Sequence, residues 1–153
     1  MARAIDSDFL QVFKYKVTAG ATQGGDAPFG GAFTTATNPE LTIENVEYRD
    51  SGKKYKQKFP GIPTVNDLSL TRGVVQNRTE LWDWINGAVN GEEFRIDLTV
   101  EHQDRSDATK YTYTLKNAFP IRVKLGSDFD ANASDVSVEE IDIAYEEFEV
   151  EAG

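Results

Sequence analysis

Apolar and polar residues alternate with a period of two along most of this chain. In "FRIDLTVEH" Phe94, Ile96, Leu98 and Val100 fall on one face, and Arg95, Asp97, Thr99 and Glu101 on the other. "YTYTLKN" repeats the pattern with Tyr111, Tyr113 and Leu115, and "FLQVFKYKV" with Phe9, Phe13, Tyr15 and Val17. Such alternation marks strands with one buried face. "ELTIENVEYR" changes phase partway, from Leu41 and Ile43 to Val46 and Tyr48. The C-terminal run does the same, from Val136 and Val138 to Ile141 and Ile143. Phase slips of this kind predict bulges or bends where a sheet curves.

One stretch has a different period. In "NRTELWDWINGAVNG" the residues Leu81, Trp84, Ile85 and Ala88 are spaced as on one helical face. A helix over about 77–90 is expected. Asn77 serves as its N-cap, Glu80 completes a capping box, and Asn90-Gly91 ends it. Trp82 falls off the apolar stripe, as rim packing or as an interface anchor. "TAGATQGGDAPFGG" and "RDSGKKYKQKFPGIP" read as long connections, and "EHQDRSDATK" as a polar hairpin tip. The expected architecture is mainly β: about seven antiparallel strands around one helix, as a sandwich or small barrel in a single domain over 1–153.

Composition narrows the chemistry. The 153 residues contain no cysteine and one histidine, which excludes disulfides, thiolate metal sites and a Cys nucleophile. No run of 18 apolar residues occurs, so no membrane anchor is expected. The N-terminal stretch has no apolar core of a secretory signal. Charge is segregated. The net value is −10, and from Leu125 to Gly153 there are ten acids and no Lys or Arg. Residues 49–58, "RDSGKKYKQK", carry five bases and one acid: Arg49, Lys53, Lys54, Lys56 and Lys58 against Asp50. Both regions are either solvated surface or complementary contacts between copies.

No catalytic or cofactor constellation emerges. Arg72-Gly73 precedes the helix, but one glycine followed by two valines is not a phosphate loop. The reading is a corner, with Gly73 permitting the turn. Arg72 is either a structural ion pair or a subunit contact. His102 lies at a strand tip without a nucleophile elbow, so a hydrolase is a minor rival. The acids of "SVEEIDIAYEEFEVE" offer no defined glycosidase pair. "DFDANASD" lacks the glycine and the bidentate Glu of a calcium loop. The basic loop with Tyr55 is too local to track a nucleic acid. A stand-alone barrel binding a small ligand is the main alternative to a contact protein.

The stretch "YRDSGKKYKQKFPGIPTVNDLSLTRGVVQNRTELWDWIN" resembles the tail tube proteins of contractile phage tails and phage-tail-like injection systems. That family shows a "YR-x-G" hairpin, a "PG" turn, an "LTLKRG" strand and a helix bearing "LxxW". The matching residues are Tyr48, Arg49, Pro60, Gly61, Leu68 to Gly73, Leu81 and Trp84. A second block, "LKNAFPIRVKLGSDFDANASD", supplies Asn117, Ala118 and Pro120 of an "NAxP" element and the turn at Asp128 to Ala131. The resemblance implies subunits that form hexameric rings, stacked head to tail into a tube within a contractile sheath. It implies sheath, baseplate and tail-terminator proteins as partners, a luminal cargo of DNA or protein effectors, and neither cofactor nor catalysis. It also implies assembly in the bacterial cytoplasm, as part of a particle that is retained or released by lysis. Contact with neighbouring subunits is then expected at Arg49, Asp50, Lys53, Lys54, Tyr55, Lys56, Lys58 and Trp82.

Overall fold

The computed structural model describes residues 10–20, 28–30, 33–52, 54–74, 78–91 and 94–152. Within them the chain runs β1 (Tyr15–Ala19), β2 (Thr35–Ala36), β3 (Leu41–Tyr48), β4 (Gln57–Val65), β5 (Leu68–Gly73), α1 (Glu80–Val89), β6 (Ile96–Gln103), β7 (Thr109–Lys124), β8 (Val138–Ala144) and β9 (Glu147–Ala152). Every strand pairing is antiparallel.

β7 organises the body because it belongs to two sheets. Its first part lies between β6 and β9, and β1 pairs with β6 beyond. Its second part pairs with β8, followed by β5 and β2. The hand-over occurs at Asn117, whose φ of 55° lies in the left-handed region. Asn tolerates that region better than most residues. Its amide N–H donates to Asp97 Oδ1 at 3.2 Å and its Nδ2 to Glu146 Oε2 at 3.0 Å. Pro120 follows where β6 has already ended and only β8 pairs, next to a register shift between Pro120 and Arg122. A residue without an N–H fits an edge or an irregularity of this kind.

The two sheets enclose one apolar core. Leu98 and Leu115 come from the first sheet; Leu68, Leu70, Ile141 and Ile143 come from the second, and all are essentially inaccessible. Leu81 and Trp84 of α1 join them. Trp84 packs against Phe29, with ring centres 5.4 Å apart and planes tilted by 47°, and donates its indole N–H to the Phe94 carbonyl at 2.8 Å. The apolar body is buried while the polar atom stays satisfied.

Several sequence expectations need correction. α1 begins at Glu80 with Thr79 at the N-cap, not near 77, and Thr79 makes no capping hydrogen bond. Asn77 lies outside the described residues. Glu80 forms no capping box, because its carboxylate is drawn to Arg72. Gly91, at φ 81°, does end the helix. Pro60-Gly61 is not a turn. Both residues lie inside β4, beside the register shift between Ile43 and Asn45. A Cβ on Gly61 would come within 3.0 Å of the Glu44 carbonyl oxygen and of Val46. Gly73 ends β5 with open space where a Cβ would go, so the corner does not require it. Phe13 is 67% exposed in a turn before β1, and Phe9 lies outside the described residues.

The two phase slips have different causes. That in β3 coincides with the β3–β4 register shift. That in the C-terminal run is no bulge against β5, whose pairing with β8 is regular from Leu68–Ile143 to Gly73–Val138. Glu139, rather than Val138, takes the inward position with Ile141 and Ile143. A buried Glu is rare unless paired, and the partner is Arg72, directly opposite on β5.

Candidate functional site

Two features stand out once the body is accounted for: a free-standing arm and an acidic sheet face. The arm is the hairpin β3–β4, which forms its own two-stranded sheet. Among the described residues its strands pack substantially only on each other. All eight residues of β3 are exposed. Its root is tied down at Asn66, whose N–H donates to the Glu40 carbonyl at 3.2 Å. The Glu40 N–H and the Tyr145 hydroxyl both donate to Asn66 Oδ1, at 2.8 and 2.7 Å. Beyond that root the arm leaves large apolar groups in water: Tyr48, Tyr55, Phe59 and Ile62 among them. Two isolated strands are marginal in water, and an apolar patch of this kind marks a contact surface.

The arm tip carries the basic loop. The loop is shorter than expected, because Gln57 to Val65 are strand. Arg49, Asp50, Lys54, Tyr55, Lys56 and Lys58 are all exposed there. Lys53 lies outside the described residues. Lys56 reaches Glu47 at 3.5 Å, and Lys54 stands over the Tyr55 ring at 5.6 Å. Trp82 lies far along the chain from this group, on α1, and is 47% exposed.

Arg72 does not reach the surface. It is 7% exposed, with its Nε donating to Glu139, its Nη1 to the Gly30 carbonyl and its Nη2 to Glu80 Oε2 at 3.2 Å. The guanidinium also lies 5.1 Å from the Phe33 ring centre. Glu80 Oε2 accepts from the Gly30 N–H at 3.2 Å as well. One side chain thus joins β5, β8, α1 and the segment before β2. Each donor edge of the planar fork has a partner, a geometry that a lysine ammonium does not supply.

The acidic face is the outer side of the four-stranded sheet. β9 places Glu147, Glu149 and Glu151 opposite Lys116, Thr114 and Thr112 of β7, and Glu101 lies on β6 between Thr112 and the exposed Lys16 of β1, so four acids stand against two lysines here. Lys116 bonds Glu149 at 2.8 Å, and the surrounding carboxylates hold its pKa above the ordinary lysine value. β1 and β9, the outermost strands of this sheet, each pair on one side only among the described residues.

An open cleft of about 320 Å³ is lined by residues including Tyr15, Ala36, Val100, His102 and Tyr113. His102 Nε2 bonds the Gln11 carbonyl at 2.9 Å.

Clustered positive charge and the family resemblance pointed to the arm tip in the sequence. Neither signalled the Arg72–Glu139 pair, although Arg72 in a strand and Glu139 among valines and isoleucines were visible as exceptions.

The family described as T4-like virus tail tube protein gp19 matches residues 11–149. No curated protein sequence matches the chain. Among solved structures, a chain of the PVC sheath–tube complex, an extracellular contractile injection system in its extended state, superposes with a TM-score of 0.81 at 24% identity, covering 96% of this chain and 94% of that one. A chain of the anti-feeding prophage baseplate gives 0.83 at 18% identity, with coverage of 95% and 97%. Hcp1 from Flavobacterium johnsoniae is more distant, at 0.52 and 18% identity, with coverage of 95% and 97%. These likenesses establish the fold. The family match spans the arm, the helix and both sheets, and leaves the stand-alone ligand-binding barrel without support. The chain belongs to the T4-like virus tail tube protein family, as a tail tube subunit.

Proposed function

We propose that six copies of this single-domain chain close into a ring, and that rings stack head to tail into a hollow tube inside a contractile sheath. The observation that carries this is the β3–β4 arm, which exposes apolar side chains along a hairpin with no partner strand among the described residues. Such an arm is completed by a neighbouring copy. The one-sided strands β1 and β9 favour the same assembly, since an unpaired edge is an aggregation liability that ring closure removes. Stacking is heterologous and needs two different surfaces on each copy. The sheath, baseplate and terminator proteins are the proposed partners. The role is structural rather than catalytic, in a particle assembled in the bacterial cytoplasm.

We place the acidic outer face of the four-stranded sheet toward the lumen. Six copies of Glu101, Glu147, Glu149 and Glu151 would repel nucleic-acid phosphates and let DNA or acidic effectors slide rather than adhere. A density map with β9 on the outside of the tube, or a lumen dominated by Lys and Arg, contradicts this.

Negative-stain microscopy of the purified protein tests the assembly. Rings or tubes with a central hole are expected. Reversing the charge of Lys54, Lys56 and Lys58 should abolish tubes and leave the far-UV circular dichroism unchanged. Normal tubes from that variant remove the arm from the assembly.

A further inference from the structure

The direction of β5 puts a second exposed feature at the far end of the strand from the root of the arm. β4 leads into β5 at Leu68, opposite Ile143, beside the Asn66 root of the arm. β5 ends at Gly73, opposite Val138. The five residue steps of strand from Leu68 to Gly73 separate these ends by roughly 17 Å. At the Gly73 end stands the β7–β8 loop, residues 125–137. It is fastened to the body by the Val74 N–H on the Ser137 carbonyl at 2.9 Å and by the Val138 N–H on Ser127 Oγ at 3.1 Å.

This loop is the chemical complement of the arm tip. It carries Asp128, Asp130 and Asp135 and no base. Its apolar groups are displayed rather than buried: Phe129 is fully exposed, Leu125 and Val136 are exposed toward the two ends of the loop, and Val74 is exposed at the adjoining end of β5. The arm tip offers Lys54, Lys56 and Lys58 with Tyr55, which is 75% exposed. Asp128 has a neighbour of its own, Lys124 at 3.3 Å, yet its side chain remains 95% exposed. Asp130 is engaged only locally, accepting the Asn132 N–H at 3.0 Å.

We propose that the arm tip of one copy docks on the 125–137 loop of the next copy along the tube, with Phe129 as the apolar contact and Asp128, Asp130 and Asp135 facing the arm lysines. A basic aromatic tip on an arm rooted at one end of β5 and an acidic aromatic loop at the other end are the two unlike surfaces that head-to-tail stacking needs. An extended hairpin of eight-residue strands reaches about 25 Å from its root, enough to leave its own body. This rests on the tube reading above and names the partner surface within it.

The test is a charge swap. Lys54→Glu, Lys56→Glu and Lys58→Glu together should stop tube formation, as should Asp128→Lys, Asp130→Lys and Asp135→Lys together. The protein carrying all six changes should form tubes again, without co-assembling with the unaltered chain. All six sites are exposed, and circular dichroism checks that each variant folds. If the arm variant fails and the six-fold variant also fails while folded, the arm binds elsewhere and the proposal falls, although the tube reading stands. If the unaltered chain forms no rings or tubes, the tube reading falls first. A second measurement needs no substitution. Carbodiimide joins a lysine to a touching carboxylate, so unaltered tubes should yield cross-linked peptides between 54–58 and 125–137 of different copies. Arm lysines joined only to other acids overturn the proposal.

Discussion

At the scale of single residues, the fold turns on side chains that break the alternating pattern. Arg72 and Glu139 occupy inward positions among leucines and isoleucines. Burying either alone is expensive; together, with Glu80 and the Gly30 carbonyl, they satisfy one another. Arg72→Met should therefore cost about 3–5 kcal/mol, because Glu139 is left buried and charged. Adding Glu139→Leu should recover much of that loss. Urea midpoints of the two variants decide the matter, and equal stability of Arg72→Met and the parent would refute the argument. Asn117 illustrates the same lesson differently. Its side chain and its left-handed backbone both serve the corner where β7 changes sheets, with Glu146 held by Asn117 on one oxygen and by Arg95 on the other at 3.1 Å.

Among the elements, the contrast lies between the packed body and the arm. The strands of the body share a core, and α1 closes on β7 through Leu81 and Trp84. The arm contributes almost nothing to that core, since Val65 at its root is its one residue packed there. Replacing residues 42–64 by a short turn should thus leave the body folded, with its unfolding midpoint within a few degrees of the parent. Tube formation should disappear. A cooperative loss of the whole fold would mean that the arm stabilises the body after all. The strand alternation of β6 and the helix of Leu81 and Trp84 were legible in the sequence because each has a buried face with a fixed period. The arm was less legible. Its bulge, its two prolines and its exposed apolar groups made β4 read as a loop, because strand patterns presuppose a face turned toward a core of the same chain.

For the molecule as a whole, charge separation is the dominant property. The excess acid sits on β8, β9 and the 125–137 loop, and the local excess of base at the arm tip. Contacts built from exposed charge are screened once the Debye length shrinks to a few Å, near 1 M salt. Tubes should therefore form less readily as sodium chloride rises from 0.1 to 1 M, while the folded body, held by its core, keeps its thermal midpoint. Sedimentation of tubes against salt, beside a melting curve, separates the two. Tubes that persist unchanged at 1 M salt would assign the stacking energy to Phe129, Tyr55 and the other apolar groups.

The sequence alone determined the mainly β character, the single amphipathic helix, the absence of cysteine chemistry and the charge asymmetry. These follow from local periodicity and composition. It also carried the family resemblance through ordered motifs. Only the tertiary structure decided that Arg72 is an internal clasp, that β7 serves two sheets through Asn117, and that Pro60-Gly61 lies within a strand. It alone placed the root of the basic arm and the acidic loop at opposite ends of β5. The physical reason is that periodicity reports which face of an element is buried, whereas partners across 67 residues, such as Arg72 and Glu139, are set by strand register. Register emerges only when the whole core packs.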